Sequence, residues 1–341
     1  LVGFVPEWCR AQLISGRPAT SAEQVVERLL AVQGQDPRGA RLSIRARSSG
    51  LAAGDVDRAL TDDRSLVITW LNRGTLHLVR SEDLALLHAL TTPQLHTANL
   101  RRLGQEGVLG GDVDRGVQVV VDALADGPQT RPLLRERLAS ADLPVGGQAL
   151  VHILMRTCLL GHAVRGPMFG PEQAYVLVRD WLDVDLTASV DRDAALTELA
   201  RRYLQGHAPA SDPDLARWAG LSLGDARRGL SGLHRLHDRG DGKVSLTKPS
   251  RVGAPTPRLL GPFDPLLLGW TDRTPITGGY THLVTDNGLF RPFALVDGRA
   301  VATWSPTSGV TPYEELTEVT QAALEVELVD VRRFLGSARY R

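Results

Sequence analysis

Lysine is nearly missing from this chain: Lys243 and Lys248 stand alone, and every other one of the 39 basic residues is arginine. Schiff-base chemistry on a lysine amine therefore has almost nowhere to occur. Cysteine is equally scarce. Cys9 and Cys158 are far apart and form no CxxC pair, which excludes a disulfide framework, a zinc ribbon and an iron–sulfur cluster. There is no run of about 18 apolar residues, so no membrane span is expected. The opening residues, LVGFVPEWCR, lack the basic start and long apolar core of a signal peptide. Walker A and GxGxxG patterns are absent, so no nucleotide cofactor is expected. Formal net charge is zero, which argues against nonspecific coating of nucleic acid. These absences point to a reducing, cytoplasmic setting.

What is present is an ordinary globular composition, 43% hydrophobic and 23% charged, over 341 residues, enough for several domains. Three times the chain repeats one coarse grammar of short helices followed by a hairpin. In the first copy PEWCRAQLISG and SAEQVVERLLAVQ read as helices, the second opened by a capping box, Ser21-x-x-Gln24. SIRARSSG and DVDRALTDD read as further short helices, and SLVITWLNRGTLHLVR as strand, turn at Asn72-Arg73-Gly74, strand. The second copy runs through RGVQVVVDALADGP, TRPLLRERLAS and GGQALVHILMRTCLLGHAVRG. The third contains PASDPDLARWAGLSLGDARRGLSGL, a helix-turn-helix hinged near Gly220, then a strand near KVSLT. From about 251 prolines and glycines increase, FRPFALVDGRAVATWSP alternates like a hairpin around Asp297-Gly298, and a final helix follows. The expected division is 1–85, 86–190, 191–250 and 251–341: three winged-helix units and a β-rich domain with a closing helix.

The stretch LLAVQGQDPRGARLSIRAR, residues 29–47, carries the sharpest signal. Continued helical spacing from Leu29 and Leu30 would set Gln33 on the apolar face, where an amide must be hydrogen-bonded or face a wet pocket. Asp36 precedes proline, so the helix should stop by about Gly34. If Gln33 to Gln35 is extended, the two amides point the same way and can grip one small polar object, such as a water. Spacing leaves a second reading open, in which the amides only cap the helix and tie down the loop. Arg38, Arg41 and Arg45 crowd in after the pair and are candidates for phosphate contacts. In TLHLV, Thr75 and His77 share one strand face; if Leu76 and Leu78 pack inward, Thr75 and His77 face out, with Arg73 at the tip of a wing that probes nucleic acid. The alternative is an ordinary sheet with a solvated polar face.

With QGQDP, WLNRGTLHLV and FDPLLLGWTDRT…NGLFRPFALVDGRAVATW, the chain resembles the HTH_42 superfamily of winged-helix DNA glycosylases, in particular its AlkZ-like, azinomycin-resistance type. The resemblance covers nearly the whole chain. It implies a mainly α fold with β wings: three tandem winged helices in a C shape plus a small C-terminal β-barrel-like domain. It implies a catalytic Gln-x-Gln, which falls on Gln33 and Gln35, with Arg38, Arg41, Arg45, Arg73, Thr75 and His77 toward DNA and the last two near the lesion. It implies a monofunctional glycosylase for cationic N7-alkylpurines, bulky or crosslinked ones included, serving DNA repair or antibiotic self-resistance. The partner is double-stranded DNA carrying alkylated purines, bound by a nucleoid-associated monomer without metal or cofactor.

Other features read as structural. His234-x-x-His237 has helical ligand spacing but no evident third ligand. His152, Cys158, His162, Trp70 and Trp218 read as core or surface residues. A non-catalytic winged-helix regulator is the competing function, and the paired glutamines separate the two, because a regulator has no use for amides facing a groove.

Overall fold

In a computed structural model, residues 4–170, 172–186, 188–248, 253–285 and 288–336 are described. The chain divides into two compact units. One joins Leu1–Val56 to Asp193–Arg341, and the other is Asp57–Arg192. The boundary expected at 85/86 falls inside the second unit, and the one at 250/251 lies outside the described residues.

The first unit begins with α1 (Val5–Ala11), α2 (Ala22–Leu29), the two-residue β1 (Val32–Gln33) and α3 (Pro37–Arg45), and α4 (Ala53–Thr61) leads out of it. The Ser21 side chain accepts from the Gln24 backbone N–H, as a capping box requires, but Gln24 Oε1 reaches the Thr20 N–H at 2.9 Å instead of closing the box. α2 stops earlier than expected. Leu30 takes φ +64, which breaks the helix and turns the chain into extended geometry at Val32 and Gln33. Gln33 is thus not on a helical face. α3 in turn starts well before Ser43, because Pro37 presets the first helical φ and Asp36 accepts from the Gly39 N–H at 2.6 Å.

The second unit holds β2 (Leu66–Leu71), β3 (Thr75–Arg80), α5 (Leu84–Thr91), α6 (Leu95–Gln105), α7 (Gly111–Ala125), α8 (Arg131–Ser140), α9 (Ala149–Leu159), β4 (Ala163–Phe169), β5 (Glu172–Leu177) and α10 (Val178–Trp181). β2 and β3 pair antiparallel from Leu66↔Arg80 to Leu71↔Thr75, around a turn with Asn72 at φ +55 and Gly74 at φ +82. This hairpin is no free wing. Within the unit the strand order is β3-β2-β4-β5, and all six residues of β2 are buried. The hairpins of the first two sequence copies are therefore halves of one antiparallel sheet, joined at Ile68↔Arg165.

The first unit resumes with α11 (Arg192–His207), α12 (Asp212–Ala219), α13 (Leu223–Ser231), β6 (His237–Gly240) and β7 (Lys243–Ser245). A complete capping box, Ser211 with Asp214, opens α12; Gly220 at φ +70 ends it, and Ser222 caps α13. This is the helix-turn-helix read from the sequence, followed by a two-stranded hairpin. β8 (Arg258–Leu260), α14 (Thr274–Thr277), β9 (Phe293–Val296), β10 (Arg299–Ser305), β11 (Gly309–Pro312) and α15 (Glu318–Leu335) complete the chain. The expected barrel is instead an open antiparallel sheet, ordered β11-β10-β9-β8. α15 covers it. Leu324, Leu328, Val331 and Phe334 pack on Leu259, Ala294, Ala302 and Trp304, and Leu42 of α3 joins the same core. The architecture is mixed helix and sheet. Among the described residues no helix is long and apolar enough to cross a membrane.

Candidate active site

Gln33 and Gln35 lie where the chain passes from β1 into α3, and they are unequal. Gln33 is 6% exposed, and its Oε1 is buried with no hydrogen-bond partner among the described residues. Leaving a buried acceptor unmade costs about 1–3 kcal/mol, so such a group calls for a function or a water. Gln35 is exposed. The next residue, Asp36, is committed to capping α3, so the polar groups of this corner are divided between structure and availability.

The arginines after the pair are not equivalent either. Arg38 is half-buried. Arg41 is 1% exposed and donates from Nη1 to the Pro37 carbonyl at 2.9 Å. Arg45 is 4% exposed; it donates to Glu327 at 2.7 Å, Asp330 at 3.0 Å and the Leu259 carbonyl at 2.9 Å. Burial alone would raise the Glu327 carboxyl, but Arg45 and Arg258 hold it below its ordinary value. The expectation that Arg41 and Arg45 meet phosphates is therefore corrected, because both guanidiniums are buried on protein partners. Sequence reasoning also missed the role of Arg47. It grips the fully buried Asp264 with two bonds of 2.7 and 2.9 Å, and Gln12 at 2.8 Å. No local signal marks that pair, which spans 217 positions.

In the second unit Arg73 is exposed at the hairpin turn, as expected. Thr75 is half-buried with its Oγ1 unpartnered among the described residues. His77 does not face out, since both faces of β3 are covered. Burial pushes its imidazole down to about 4, against the opposing Thr75 carbonyl and with a further push from Arg73. The ring is neutral at pH 7. Its Nδ1–H donates to the Thr75 carbonyl at 2.9 Å, which leaves Nε2 as an acceptor. Asn72, read from sequence only as a turn residue, has both side-chain polar atoms buried without a partner among the described residues. Trp70 stacks on Tyr175 at 6.4 Å and serves packing. Among the described residues no three His, Cys, Asp or Glu side chains are grouped to hold a metal.

The sequence model of the family described as DNA glycosylase AlkZ-like matches residues 26–334. The interstrand DNA cross-link repair glycosylase of Streptomyces sahachiroi is 27% identical to this chain, over 96% of it and 94% of the relative. The solved structure of Streptomyces sahachiroi DNA glycosylase AlkZ superposes with a TM-score of 0.79 at 24% identity, covering 99% of this chain and 97% of that one, which shows a shared fold. Because the family match runs almost from end to end, this chain belongs to the AlkZ-like DNA glycosylases.

Proposed function

We propose that this DNA glycosylase is monofunctional and hydrolyses the N-glycosidic bond of N7-alkylated purines in double-stranded DNA, with Gln33 and Gln35 holding the attacking water. The observation that carries this reading is the buried, unpartnered Oε1 of Gln33, set on extended backbone two residues before the exposed Gln35. An amide has no useful pKa and cannot act as a general base. It accepts a hydrogen bond from water and fixes where that water stands. Alkylation at N7 makes the purine cationic, so the base needs no protonation to leave. As the C1′–N9 bond breaks, its electron pair neutralises the base. Water oxygen bonds to C1′, and its surplus proton passes to solvent. Both amide oxygens stabilise the positive charge that develops at the sugar. No lysine stands near Gln33 in the sequence, so no Schiff-base step follows.

Bulky and crosslinked adducts fall within the proposed range, in keeping with the cross-link repair activity named for the relative. Arg38 in the first unit and Arg73 in the second are the proposed phosphate contacts, Thr75 is proposed to approach DNA, and the buried His77 is not. The enzyme is proposed to work as a monomer in the cytoplasm.

Substrate range tests the proposal. Under single turnover the enzyme is expected to release 7-methylguanine from alkylated duplex and to leave uracil in a uracil-containing duplex. Equal release of both would contradict a mechanism that relies on the charge of the base. No release from a methylated, a bulky-adducted or a crosslinked duplex would remove the glycosylase assignment at Gln33.

A further inference from the structure

The segment Leu259–Asp264 is packed along α3 and anchored there at Leu259, Gly261, Pro262 and Asp264. The Leu259 carbonyl accepts from Arg45. Gly261 lies so near α3 that a Cβ there would meet the Leu42 Cβ at 2.8 Å. A Cβ on Gly39 would collide with the Pro262 carbonyl oxygen, so Pro262 is fixed against the first turn of α3. Asp264 is fully buried on Arg47. Between the last two anchors stands Phe263, at φ +56. A bulky residue in this region is a genuine outlier, and Gly or Asn would make the same turn with less strain. The ring is only half-buried. Its neighbour Phe290 lies at 5.6 Å, tilted by 43°, and already carries the Arg273 guanidinium 4.9 Å from its own centroid. The Phe263 ring therefore packs on Phe290 and keeps part of its surface open, and its place in the chain suggests a use for that open part. Pro262 touches the turn that Asp36 caps, and Gln35 is the residue before Asp36.

The geometry points to Phe263 as a specificity-determining residue that lays its ring against the alkylated purine. A cationic N7-alkylpurine is attracted to the negative face of a benzene ring, whereas an unmodified base gains only apolar contact. The neighbouring Pro262 is fixed against the first turn of α3, whose cap Asp36 directly follows Gln35. This assignment rests on the glycosylase reading for its choice of ligand, and binding tests it separately from base release.

The probe is a duplex containing one 2′-fluoro-7-methyl-deoxyguanosine, which resists cleavage, compared with the same duplex unmodified. Wild type is expected to prefer the alkylated duplex. Phe263→Leu is expected to lose about tenfold in affinity for the alkylated duplex and nothing for the unmodified one. Phe263→Trp should keep the preference. Phe263→Asn suits the backbone, so it should lose the preference while Tm stays within about 3 °C of wild type. Wild type without a preference, Phe263→Leu binding both duplexes like wild type, or a much larger fall in Tm for Phe263→Asn would each overturn the assignment. A preference that depends on Phe263 in an enzyme that releases no base from cleavable substrate would keep the assignment and reject the glycosylase reading.

Discussion

Two nearby stretches treat buried polar groups in opposite ways. At residues 45–47 two buried guanidiniums have their charges matched by Glu327, Asp330 and Asp264. At residue 33 a buried amide oxygen has no partner among the described residues. Both stretches look polar and suggestive in the sequence, and the arginines look the more so. Matched charge marks them as structural: Arg45 holds α3 to β8 and α15, and Arg47 holds the chain just past α3 to Asp264. The unmatched acceptor is the group that the proposed chemistry uses.

The comparison breaks first at Asp264. Asp264→Leu strands the Arg47 charge in the interior and should cost about 3–5 kcal/mol in urea denaturation, while Arg47→Met with Asp264→Leu should cost less. A stable Asp264→Leu variant would show that the pair does not hold the fold. Acid comes next. His77 is pushed down to about 4 and His207 to about 3, in both cases chiefly by burial and against a backbone carbonyl, that of Thr75 or Tyr203. Between an ordinary value of 6.5 and these lowered ones the unfolded chain binds more protons than the folded one, so stability is full above pH 6.5 and is lost as pH falls. His77 alone accounts for about 3 kcal/mol by pH 4, and His77→Asn should flatten the measured dependence of stability on pH. A curve unchanged by the substitution would refute the buried neutral ring. The smallest effects are at the surface. Arg73→Ala should change stability by less than about 0.5 kcal/mol and lower the salt slope of DNA binding by about 1. Arg41→Ala, in contrast, should leave that slope unchanged in whatever protein folds.

Where local chemistry decides the structure, the sequence is legible. The helix-turn-helix at 212–231 has Ser211 and Ser222 as caps with Gly220 between, and the turns at Asn72–Gly74 and Asp297–Gly298 carry residues that tolerate positive φ. The end of α2 is not legible, since a leucine at φ +64 carries no compositional signal and the apolar spacing runs on through Val32. Nor is the burial of Arg45, whose carboxylate partner is 282 positions away. The hairpin reads as an exposed wing because its covering strand, β4, enters only at Ala163. The barrel is what the resemblance implies for β8 to β11; alternation in the sequence fixes which face is apolar and leaves closure of the sheet undecided. Gln33 is legible as chemically odd, an amide among apolar neighbours, even though the apolar spacing suggests a helix longer than α2.

The central claim is that Gln33 and Gln35 hold one water, and the direct measurement is single-turnover release of 7-methylguanine by Gln33→Ala, Gln35→Ala and the double variant, each with its DNA affinity checked. Each single substitution is expected to slow release by about a hundredfold or more, and the double variant to fall little further, because the second amide loses its purpose with the first. Release at the wild-type rate by the double variant, with DNA binding intact, would contradict the account.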